Sequence, residues 1–344
     1  MSEAMGDGTF LALSGGVGGA KLALGLGRLL GDRLGIIVNT GDDFEHLGLL
    51  ISPDVDTALY TLADVVNPET GWGRREATWS FMAALAALGG PTWFRLGDGD
   101  LATHVDRTQR LKAGATPTEI CAHLARRLGV APRILPMTDA RVRTILDTDE
   151  GALAFQEYFV HRRCRPRVRA VRFAGAESAR PSPAIVEALA SPALQGIVIC
   201  PSNPWLSVDP ILAVAGLRAA LRSSRAPIIA VSPIIAGQAV KGPTAKIMGE
   251  LGLEASSVLI ARHYAGLIDG LVIDAKDGAL AAEIGVPVLV ANTLMTTLAD
   301  RIALARRCLA WCQDMRLDRA TAGSGTRELA EQPRTAPPSR SGRP

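Results

Sequence analysis

The stretch Ile36–Thr57 constrains this chain more than any other, because an apolar strand runs directly into a cluster of acids. Ile36–Val38 is a β-branched apolar run that predicts a short buried strand, and Asn39–Gly41 is a turn signal. Pro53 fixes a second turn, and a helix is predicted from Thr57 onward. Four aspartates fall within fifteen residues of this stretch: Asp42, Asp43, Asp54 and Asp56.

Loops beyond the C-terminal ends of parallel strands are where open α/β sheets bind ligands. Carboxylates at such a place either hold a hard cation such as Mg²⁺ or accept hydrogen bonds from hydroxyl and ring N–H groups of a substrate. The alternative is structural: Asp43 and Asp54 would be solvated turn residues, and Asp56 would cap the helix that starts near Thr57. Because four acids lie so close together, we favour a ligand site.

A glycine-rich turn between a strand and a helix is the second feature. The strand Thr9–Leu13 is followed by Ser-Gly-Gly-Val-Gly-Gly-Ala-Lys and then by helical spacing over Leu22–Leu30. Glycines in such a turn let backbone N–H groups approach a phosphate, and the helix N-terminus favours the anion. The alternative is that the glycines serve only close packing of strand and helix. The residues concerned are Gly15, Gly16, Gly18 and Gly19.

Two later turns have the chemistry of anion or nucleotide binding. Pro201–Trp205 follows an apolar strand, and its prolines fix a turn in which Ser202 and Asn203 can face a ligand. Lys241 and Lys246 bracket a Gly-Pro turn ahead of a helix, which fits a phosphate site. A plain helix start is the alternative for this lysine pair.

A further polar group lies on and directly after a predicted strand at Trp93–Leu96. His104 in this group either takes part in a functional site or is an ordinary histidine that is buried in the core or starts a helix. The members of this group are Arg95, Asp98, Asp100, Thr103 and His104.

Repeated strand–loop–helix units predict an α/β fold with a Rossmann-like, mostly parallel sheet and helices on both faces. We predict one domain over residues 9–315, with a small β-rich and helical insertion around 141–176 and a last helix at Asp300–Met315. Residues 1–8 are expected to be a frayed leader, and residues 316–344 a disordered tail. Because the polar groups follow apolar runs, they should gather along one edge of the sheet.

The composition excludes several classes of function. Of the 344 residues, 48% are hydrophobic, and 37 Lys and Arg against 34 Asp and Glu leave a net charge of +3, which does not indicate nucleic-acid binding. Aromatic residues are 4% of the chain, too few for platforms that stack single strands. Five widely spaced cysteines without CxxC indicate a reducing compartment. We expect no signal peptide, no membrane span and a cytoplasmic protein.

Taken without any family, these residues favour a metal-assisted transferase that acts on a phosphorylated or nucleotidyl substrate. No GxSxG serine and no Cys–His arrangement nominates a covalent nucleophile. In such chemistry the protein positions the reactants and neutralises charge on the leaving group.

Seven motifs then occur in the order SGGVGGAKL, NTGDD, SPDVDT, LGDGDLATH, ILPMTD, PSNPWLSVDPIL and SPIIAGQAVKGPTAKIM. Together they resemble the 2-phospho-L-lactate transferase family over roughly residues 9–315, which is nearly the whole chain. The resemblance implies an enzyme of coenzyme F-420 biosynthesis. Such an enzyme transfers a phospholactyl, phosphoenolpyruvyl or phosphoglyceryl group from a guanosine diphosphate-linked donor to the deazaflavin Fo and releases GMP. The metal that the resemblance implies is Mg²⁺.

The resemblance also implies roles for single residues. Asp56 and Arg95 are expected to contact Fo. Asp42 and Asp54 are candidate Mg²⁺ ligands and candidates for orienting the ribityl hydroxyl of Fo or accepting its proton. The guanosine nucleotide and its phosphates are expected at Gly15, Gly16, Gly18, Gly19, Ser202 and Asn203, with Lys241 and Lys246 on the same anion.

One position departs from the motifs. Gly99 stands where the resemblance leads us to expect arginine. Arg107 and Arg110 are the candidate replacements.

Other functions stay open at this point. A related group of nucleotide-sugar-binding regulators resembles the chain in its glycine turn and α/β core and has no known transfer reaction. A kinase or nucleotidyltransferase that uses a free nucleoside triphosphate is another alternative, although no Walker lysine signature supports it. The sequence does not distinguish the three donor groups, and a homodimer is compatible with such a chain.

Overall fold

The computed structural model describes residues 7–239, 244–250, 252 and 254–328, without the side chains of 244, 245 and 319–328. Within these residues the strands are, in chain order, β1 Thr9–Ser14, β2 Leu34–Val38, β3 Phe44–His46, β4 Leu49–Ile51, β5 Arg133–Pro136, β6 Arg143–Thr148, β7 Gly151–Ala154, β8 Val168–Ala174, β9 Leu194–Ile199, β10 Ile228–Val231, β11 Ile234–Ile235, β12 Gln238–Ala239, β13 Gly270–Asp274 and β14 Val288–Ala291.

The α-helices of the same residues are α1 Gly16–Leu30, α2 Pro53–Leu62, α3 Ser80–Ala87, α4 Asp98–Lys112, α5 Pro117–Arg127, α6 Pro183–Ala190, α7 Asp209–Ala213, α8 Leu217–Arg222, α9 Thr244–Glu250, α10 Ser257–His263 and α11 Leu298–Glu328. Tighter or wider helical turns occur at Gly31–Arg33, Glu157–His161, Pro204–Val208 and Ala275–Glu283. Among the described helices, none combines the length and the apolar character that a membrane crossing needs.

The main sheet of the described residues has seven parallel strands in the order β14-β13-β10-β9-β1-β2-β5. The chain builds outward from β1 on one side and from β9 on the other, so the strand order reverses between these two strands. Open α/β sheets leave a ligand-binding crevice at such a switch point, beyond the carboxyl ends of the strands. The predicted Rossmann-like α/β class is confirmed.

Helices cover both faces of the sheet, because its strands are apolar on both sides. On one face, α1, α2, α5 and α11 pack around a core that contains Phe10 and Leu59. On the other face, α6, α7, α8 and α10 pack around a core that contains Leu13 and Ile197. The glycine turn after β1 and the turn after β9 both open into the crevice between these strands.

The predicted insertion forms a separate three-stranded antiparallel sheet in the order β7-β6-β8. Its apolar residues predict a strand at Phe155–Val160, and this prediction is wrong. A helical turn occupies Glu157–His161 instead, in which the Glu157 carboxylate accepts a hydrogen bond from His161 Nδ1 at 2.9 Å. Residues four apart meet in this way only on a helix, so the side-chain pair supports the turn.

Two further sequence predictions are corrected: where α2 begins, and whether residues 93–96 form a strand. The helix predicted from Thr57 starts at Pro53, because proline is favoured at the first helical position. Asp54 and Asp56 therefore lie in a first helical turn rather than in a loop. Residues 93–96 form no strand among the described residues, because Phe94 and Leu96 pack into a side-chain cluster rather than into a sheet.

The C-terminal helix is longer than the sequence analysis predicts. It runs from Leu298 to Glu328, so residues 316–328 of the predicted disordered tail are helical. The sequence contains no proline between Leu298 and Pro333, and residues that favour a helix continue beyond Met315. Residues 1–6 and 329–344 lie outside the described residues, so the expectations for both ends are untested there.

Helices α1 and α11 approach each other closely at Gly25. A Cβ atom on Gly25 would lie 2.1 Å from the backbone oxygen of Arg301 in α11. Since backbone atoms cannot swing away like the end of a side chain, the two helices would have to separate. We expect Gly25→Ala to lower the free energy of unfolding by about 1–3 kcal/mol, the usual effect of overpacking, as measured by urea denaturation.

Gly249→Ala in α9 is the matched control, since no atom lies within 4 Å of an added Cβ there. Alanine is favoured over glycine in a helix by roughly 0.5–1 kcal/mol, so this variant should be as stable as the wild type or slightly more stable. A Gly25→Ala protein with wild-type stability would contradict the close approach of α1 and α11.

Candidate functional site

The Asp54 carboxylate joins the first turns of two helices. Its Oδ1 accepts a hydrogen bond at 2.8 Å from the N–H of Gly16, the first residue of α1. Its Oδ2 accepts one at 2.9 Å from the side-chain amide of Asn39, which directly follows β2. Because Asp54 also lies in the first turn of α2, its charge faces the N-terminal ends of two helices, where the helix dipoles favour an anion.

Asn39 extends this connection to the insertion. Its Oδ1 accepts the N–H of Gly41 at 2.8 Å, and the Gly41 backbone oxygen accepts the N–H of Thr144 in β6 at 2.7 Å. Asn39 is fully buried, and its amide also donates to the backbone oxygen of Leu206 at 3.4 Å. A continuous series of hydrogen bonds therefore links α1, α2, the tip of β2 and β6.

Three of the four predicted glycines pack closely against the turn after β9. A Cβ atom added to Gly18 would lie 2.4 Å from the backbone oxygen of Pro201, and one added to Gly19 would lie 2.4 Å from Ser202 Oγ. The N–H of Gly15 donates to Ser202 Oγ at 3.2 Å. Close packing alone thus accounts for these glycines, and the same packing brings Ser202 to the glycine turn.

Gly16 differs from the other three. Its φ of +63° lies in the left-handed region, and no atom lies within 4 Å of an added Cβ, so it faces open space. The N-cap residue Gly15 has no side chain and the first turn of α1 contains no acid, but the Gly16 N–H already donates to the Asp54 carboxylate of α2. The remaining N–H groups of this turn are suited to an anion.

Asn203 has a structural role in the turn after β9. Its Oδ1 accepts hydrogen bonds from the N–H groups of Trp205 at 3.0 Å and Leu206 at 3.1 Å. It therefore caps the helical turn Pro204–Val208. This places Asn203 next to Ser202 at the crevice, with its side-chain oxygen already used.

Lys246 holds α9 against the insertion instead of the glycine turn. Its Nζ donates to Tyr158 Oη at 3.3 Å and to the backbone oxygen of Pro166 at 3.2 Å, and it forms an ion pair with Glu250. All these partners belong to α9 or to the insertion. Lys241, the other lysine of the predicted pair, lies outside the described residues.

Buried oxygen atoms without hydrogen-bond partners gather around the turn after β2. In the described residues these atoms are Thr40 Oγ1, Asp42 Oδ1, Asp43 Oδ1 and Thr144 Oγ1. Asp42 is only 5% exposed, and the other oxygen of Asp43 accepts the Ser52 hydroxyl at 2.9 Å. Buried polar atoms are nearly always paired in native proteins, so this group indicates a place for a ligand or water.

Burial also changes the charge state of these acids. It raises the pKa of the Asp42 carboxyl well above its usual range, and the charge of Asp54 raises this pKa further. Burial raises the pKa of Asp54, while the hydrogen bonds from Asn39 and Gly16 lower it. Two carboxylates that disfavour each other's charge become jointly ionised when a cation lies between them.

The oxygen atoms at this turn fit Mg²⁺. That ion prefers oxygen ligands and is usually held by one or two carboxylates together with water and substrate phosphates. Asp42 and Asp54 supply two carboxylates, and the hydroxyls of Thr40 and Thr144 supply neutral oxygens. Across the part of the chain that the structure describes, no three His, Cys, Asp or Glu side chains form a metal-binding group. A cation here would thus take its remaining ligands from water or substrate.

Asp56 is buried in an ion pair between α2 and α4. Its Oδ2 accepts a hydrogen bond from Arg107 Nη1 at 3.1 Å, and its Oδ1 accepts one from Arg107 Nη2. His104 Nδ1 lies 3.6 Å from Asp56 Oδ2, and both His104 and Arg107 are buried. Direct contact between Asp56 and an acceptor would require this ion pair to open.

The polar group around Arg95 is divided between two roles. The Arg95 guanidinium is exposed and lies 4.1 Å from the centre of the Trp79 ring. Asp98 accepts the N–H groups of Ser80 at 3.2 Å and Phe81 at 3.1 Å, and so caps α3. In the described residues no hydrogen bond or ion pair joins Arg95 to the acids at the crevice.

Arg74 occupies the space beside Gly99. A Cβ atom on Gly99 would lie 3.1 Å from Arg74 Cδ and 3.2 Å from its Nε, and the Arg74 guanidinium lies 5.5 Å from the centre of the Tyr60 ring. Of the two candidate replacements, Arg107 is paired with Asp56, and Arg110 pairs with an aspartate at 2.8 Å. Arg74 is therefore the cation that lies next to Gly99.

Asn39 and Thr144 are two residues of the site that the sequence patterns do not single out. Asn39 is interpreted only as part of a turn, although an amide between a strand and an acidic pair is well suited to orient a carboxylate. Thr144 gives no local signal, because its place depends on how the insertion folds back onto Gly41.

Comparison with known proteins finds similarity over most of the chain. The family model described as 2-phospho-L-lactate transferase CofD matches residues 10–285. A phosphoenolpyruvate transferase of Streptomyces griseus subsp. griseus is 39% identical over 316 residues, which cover 89% of this chain and 99% of that protein. The phosphoenolpyruvate transferase of Mycolicibacterium smegmatis is 38% identical over 316 residues, which cover 86% and 95%.

A solved structure supports the fold. The crystal structure of a UPF0052 family member from Bacillus halodurans has a TM-score of 0.58 and covers 88% of this chain and 99% of its own. At 14% identity, this likeness concerns the fold alone.

The first prediction from the site concerns the buried ion pair. Asp56→Asn should lower the free energy of unfolding by about 3–5 kcal/mol, because the Arg107 charge would stay buried without its partner. Urea denaturation measures this loss. Asp106→Asn, which removes a half-exposed partner of Arg110, is the control and should change the free energy of unfolding by at most about 1 kcal/mol. Wild-type stability of Asp56→Asn would contradict the structural role of the pair.

The second prediction concerns pH. Burial lowers the pKa of His104 to about 4, although the charge of Asp56 raises it. An unfolded histidine has a pKa of about 6.5, so the folded state binds fewer protons between these values. The His104 contribution to stability is therefore present above about pH 6.5 and is lost as the pH falls through about 4.

His104→Gln should remove this dependence. Relative to the variant, the wild type should lose on the order of 1–2 kcal/mol of unfolding free energy between about pH 7.5 and about pH 5. Urea denaturation of both proteins at the two pH values measures the difference. A stability difference that stays constant with pH would contradict a buried, neutral His104.

Proposed function

The chain belongs to the family of the 2-phospho-L-lactate transferase CofD, and from this premise we propose that it is a transferase of coenzyme F-420 biosynthesis. It moves a phospholactyl, phosphoenolpyruvyl or phosphoglyceryl group from a guanosine diphosphate-linked donor to the deazaflavin Fo. The observation that carries this proposal is the buried pair Asp42 and Asp54, which lies beside the glycine turn at the switch point of the sheet.

The proposed reaction exchanges one phosphorus–oxygen bond for another. A ribityl hydroxyl oxygen of Fo attacks the phosphorus that is esterified to lactate, enolpyruvate or glycerate, and the bond from this phosphorus to the bridging oxygen of GMP breaks. The hydroxyl proton leaves to a carboxylate of the site or to water. The products are GMP and Fo joined to lactate, enolpyruvate or glycerate through a phosphodiester, so no oxidant or covalent enzyme intermediate is needed.

The nucleotide would occupy the crevice between β1 and β9. The first turn of α1 contains no acid, and in the described residues only its Gly16 N–H donates to Asp54. The other N–H groups of this turn and the positive end of the helix dipole suit a diphosphate. Ser202 and Asn203 border the same crevice from the turn after β9. Lys246 has no part in this proposal, because its amine is bound to the insertion and α9.

The acids would hold Mg²⁺ together with the hydroxyls of Thr40 and Thr144. When bound, the ion would stabilise negative charge on the leaving phosphate. The protein's own contribution is to orient the oxygen atoms, because Gly16 and Asn39 each hold one oxygen of Asp54. Asp42, whose Oδ1 is buried and without a partner in the described residues, is the candidate for orienting the ribityl hydroxyl and receiving its proton.

For the acceptor, Arg95 stays the proposed contact, since its guanidinium is exposed on the Trp79 ring. Asp56 is instead proposed as a positioning residue. Through Arg107 it fixes α2 against α4, and so fixes the first turn of α2 that carries Asp54.

The test is a transfer assay with Fo, Mg²⁺ and each of the three guanosine diphosphate-linked donors. We expect release of GMP, measured by chromatography, and an equal amount of a new phosphodiester product, identified by mass spectrometry. Nucleotide binding without GMP release would favour a regulator. Consumption of GTP without a preformed donor would favour a kinase or nucleotidyltransferase.

Asp42→Asn should separate activity from stability. Losing this charge removes a burial cost and the repulsion from Asp54, so the variant without Mg²⁺ should be at least as stable as the wild type. Its transfer rate should fall by roughly 100-fold or more, a usual effect of removing a group that stabilises charge. Mg²⁺ should raise the melting temperature of the wild type but not of the variant.

Asp147→Asn is the control, because Asp147 is a partly exposed aspartate whose ion pair with Arg172 lies at the protein surface. It should keep both the transfer rate and the Mg²⁺ effect. Full activity of Asp42→Asn would remove Asp42 from the proposed site.

A further inference from the structure

We propose that Arg143, the first residue of β6, binds the free carboxylate of the lactyl, enolpyruvyl or glyceryl group on the donor and thereby contributes to the choice of donor. This role presupposes the transferase function proposed above. It adds a cation to the acidic crevice, contributed by an insertion that lies outside the Rossmann-like sheet.

The backbone of Arg143 is fixed next to the acidic turn. Arg143 pairs with Ala174 of β8, and the N–H of the next residue, Thr144, donates to the backbone oxygen of Gly41 at 2.7 Å. Gly41 directly precedes Asp42. The first residues of β6 are therefore held at hydrogen-bond distance from the turn that carries the unpartnered oxygens.

The Arg143 guanidinium is half-buried and lacks an ion pair. In the described part of the chain its hydrogen bond goes from Nη1 to the backbone oxygen of Val142, at 2.8 Å, and no carboxylate lies within 4 Å. Asp43 and Glu45 are near enough to raise its pKa, but burial lowers this pKa more strongly. The side chain has thus lost part of its contact with water, while its charge has no carboxylate partner among the described residues.

Arg107 shows how this chain treats a buried arginine that serves the fold. Its two terminal nitrogens both donate to the carboxylate of Asp56. An unpaired buried charge lowers stability, so a protein retains one where a ligand supplies the partner. Arg143 therefore has the environment of a ligand-binding residue, whereas Arg107 has that of a structural one.

The position along the crevice identifies the part of the donor that would reach Arg143. The hydrogen-bond series begins at Gly16 in the glycine turn, passes through Asp54 and Asn39, and ends at Thr144. If the diphosphate lies at the glycine turn, the transferred phosphorus lies near the acids. The lactyl, enolpyruvyl or glyceryl group beyond this phosphorus then extends toward β6 and Arg143.

The carboxylate of this lactyl, enolpyruvyl or glyceryl group fits a guanidinium. Phospholactyl, phosphoenolpyruvyl and phosphoglyceryl groups each carry a carboxylate, and the planar fork of arginine binds a carboxylate through two parallel hydrogen bonds. The phosphates have other partners in the helix N-terminus and the proposed ion. We therefore assign Arg143 to the carboxylate rather than to the nucleotide.

The test measures binding without turnover, in the absence of Fo. Dissociation constants are determined by titration calorimetry for GDP, for the guanosine diphosphate-linked phosphoenolpyruvate donor, and for the methyl ester of that donor, which lacks the negative charge. We expect the wild type to bind the donor at least tenfold more tightly than the ester. Arg143→Gln should abolish this preference and leave the GDP dissociation constant unchanged, while Arg143→Lys should keep part of it.

Arg141→Gln is the matched control, because Arg141 is an exposed arginine two residues away. It should keep the preference of the wild type. Equal binding of donor and ester by the wild type, or an unchanged preference in an Arg143→Gln protein that binds GDP normally, would overturn the assignment. If Arg143→Gln fails to fold and loses GDP binding, the donor and its methyl ester are compared in Arg143→Lys instead, and a preference equal to that of the wild type overturns the assignment.

Failure of this assignment differs from failure of the proposed function. If the wild type releases no GMP from any donor in the presence of Fo, the proposed transfer reaction is wrong. The role of Arg143 is still tested in that case by the preference for the donor over its methyl ester. If GMP is released but the carboxylate preference does not depend on Arg143, only the role of Arg143 is wrong.

Discussion

The Asp54 carboxylate sets the geometry of the crevice. One oxygen is held by the N–H of Gly16 and the other by the amide of Asn39, so the glycine turn and the tip of β2 are fixed at hydrogen-bond distance from the first turn of α2. Both donors are themselves buried or part of a helix end, which leaves little freedom to rearrange. Hydrogen bonds that meet at this side chain thus connect the acids, the crevice between β1 and β9, and the insertion.

The same region costs the fold stability. Asp42 and Asp54 are buried close enough to disfavour each other's ionisation, several oxygens have no partner in the described residues, and Arg143 is half-buried without an ion pair. The surrounding structure offsets this cost with apolar cores on both faces of the sheet and with the close contact of α1 and α11. Local strain of this kind is typical of ligand sites.

The sequence predicts the fold better than it predicts the roles of single charges. Apolar runs and turn signals identify the strands of the main sheet, and the polar groups at their ends place Asp42, Asp54 and Ser202 at one crevice. The prediction of a strand fails at Trp93–Leu96, where side chains pack without pairing. Lys246 also has an unforeseen role, because its amine binds residues of the insertion whose positions depend on tertiary contacts.

The sequence by itself determined the α/β order, the glycine turn and the acidic stretch, because these depend on hydrophobic period and turn chemistry over a few neighbouring residues. Only the tertiary structure decided which charges are free. Asp56 meets Arg107 across 51 residues of chain, and Asn39 meets Asp54 across a turn and a hairpin. A carboxylate that meets an arginine distant in sequence is neutralised, whereas one that meets another acid keeps an uncompensated charge, and no local pattern distinguishes the two.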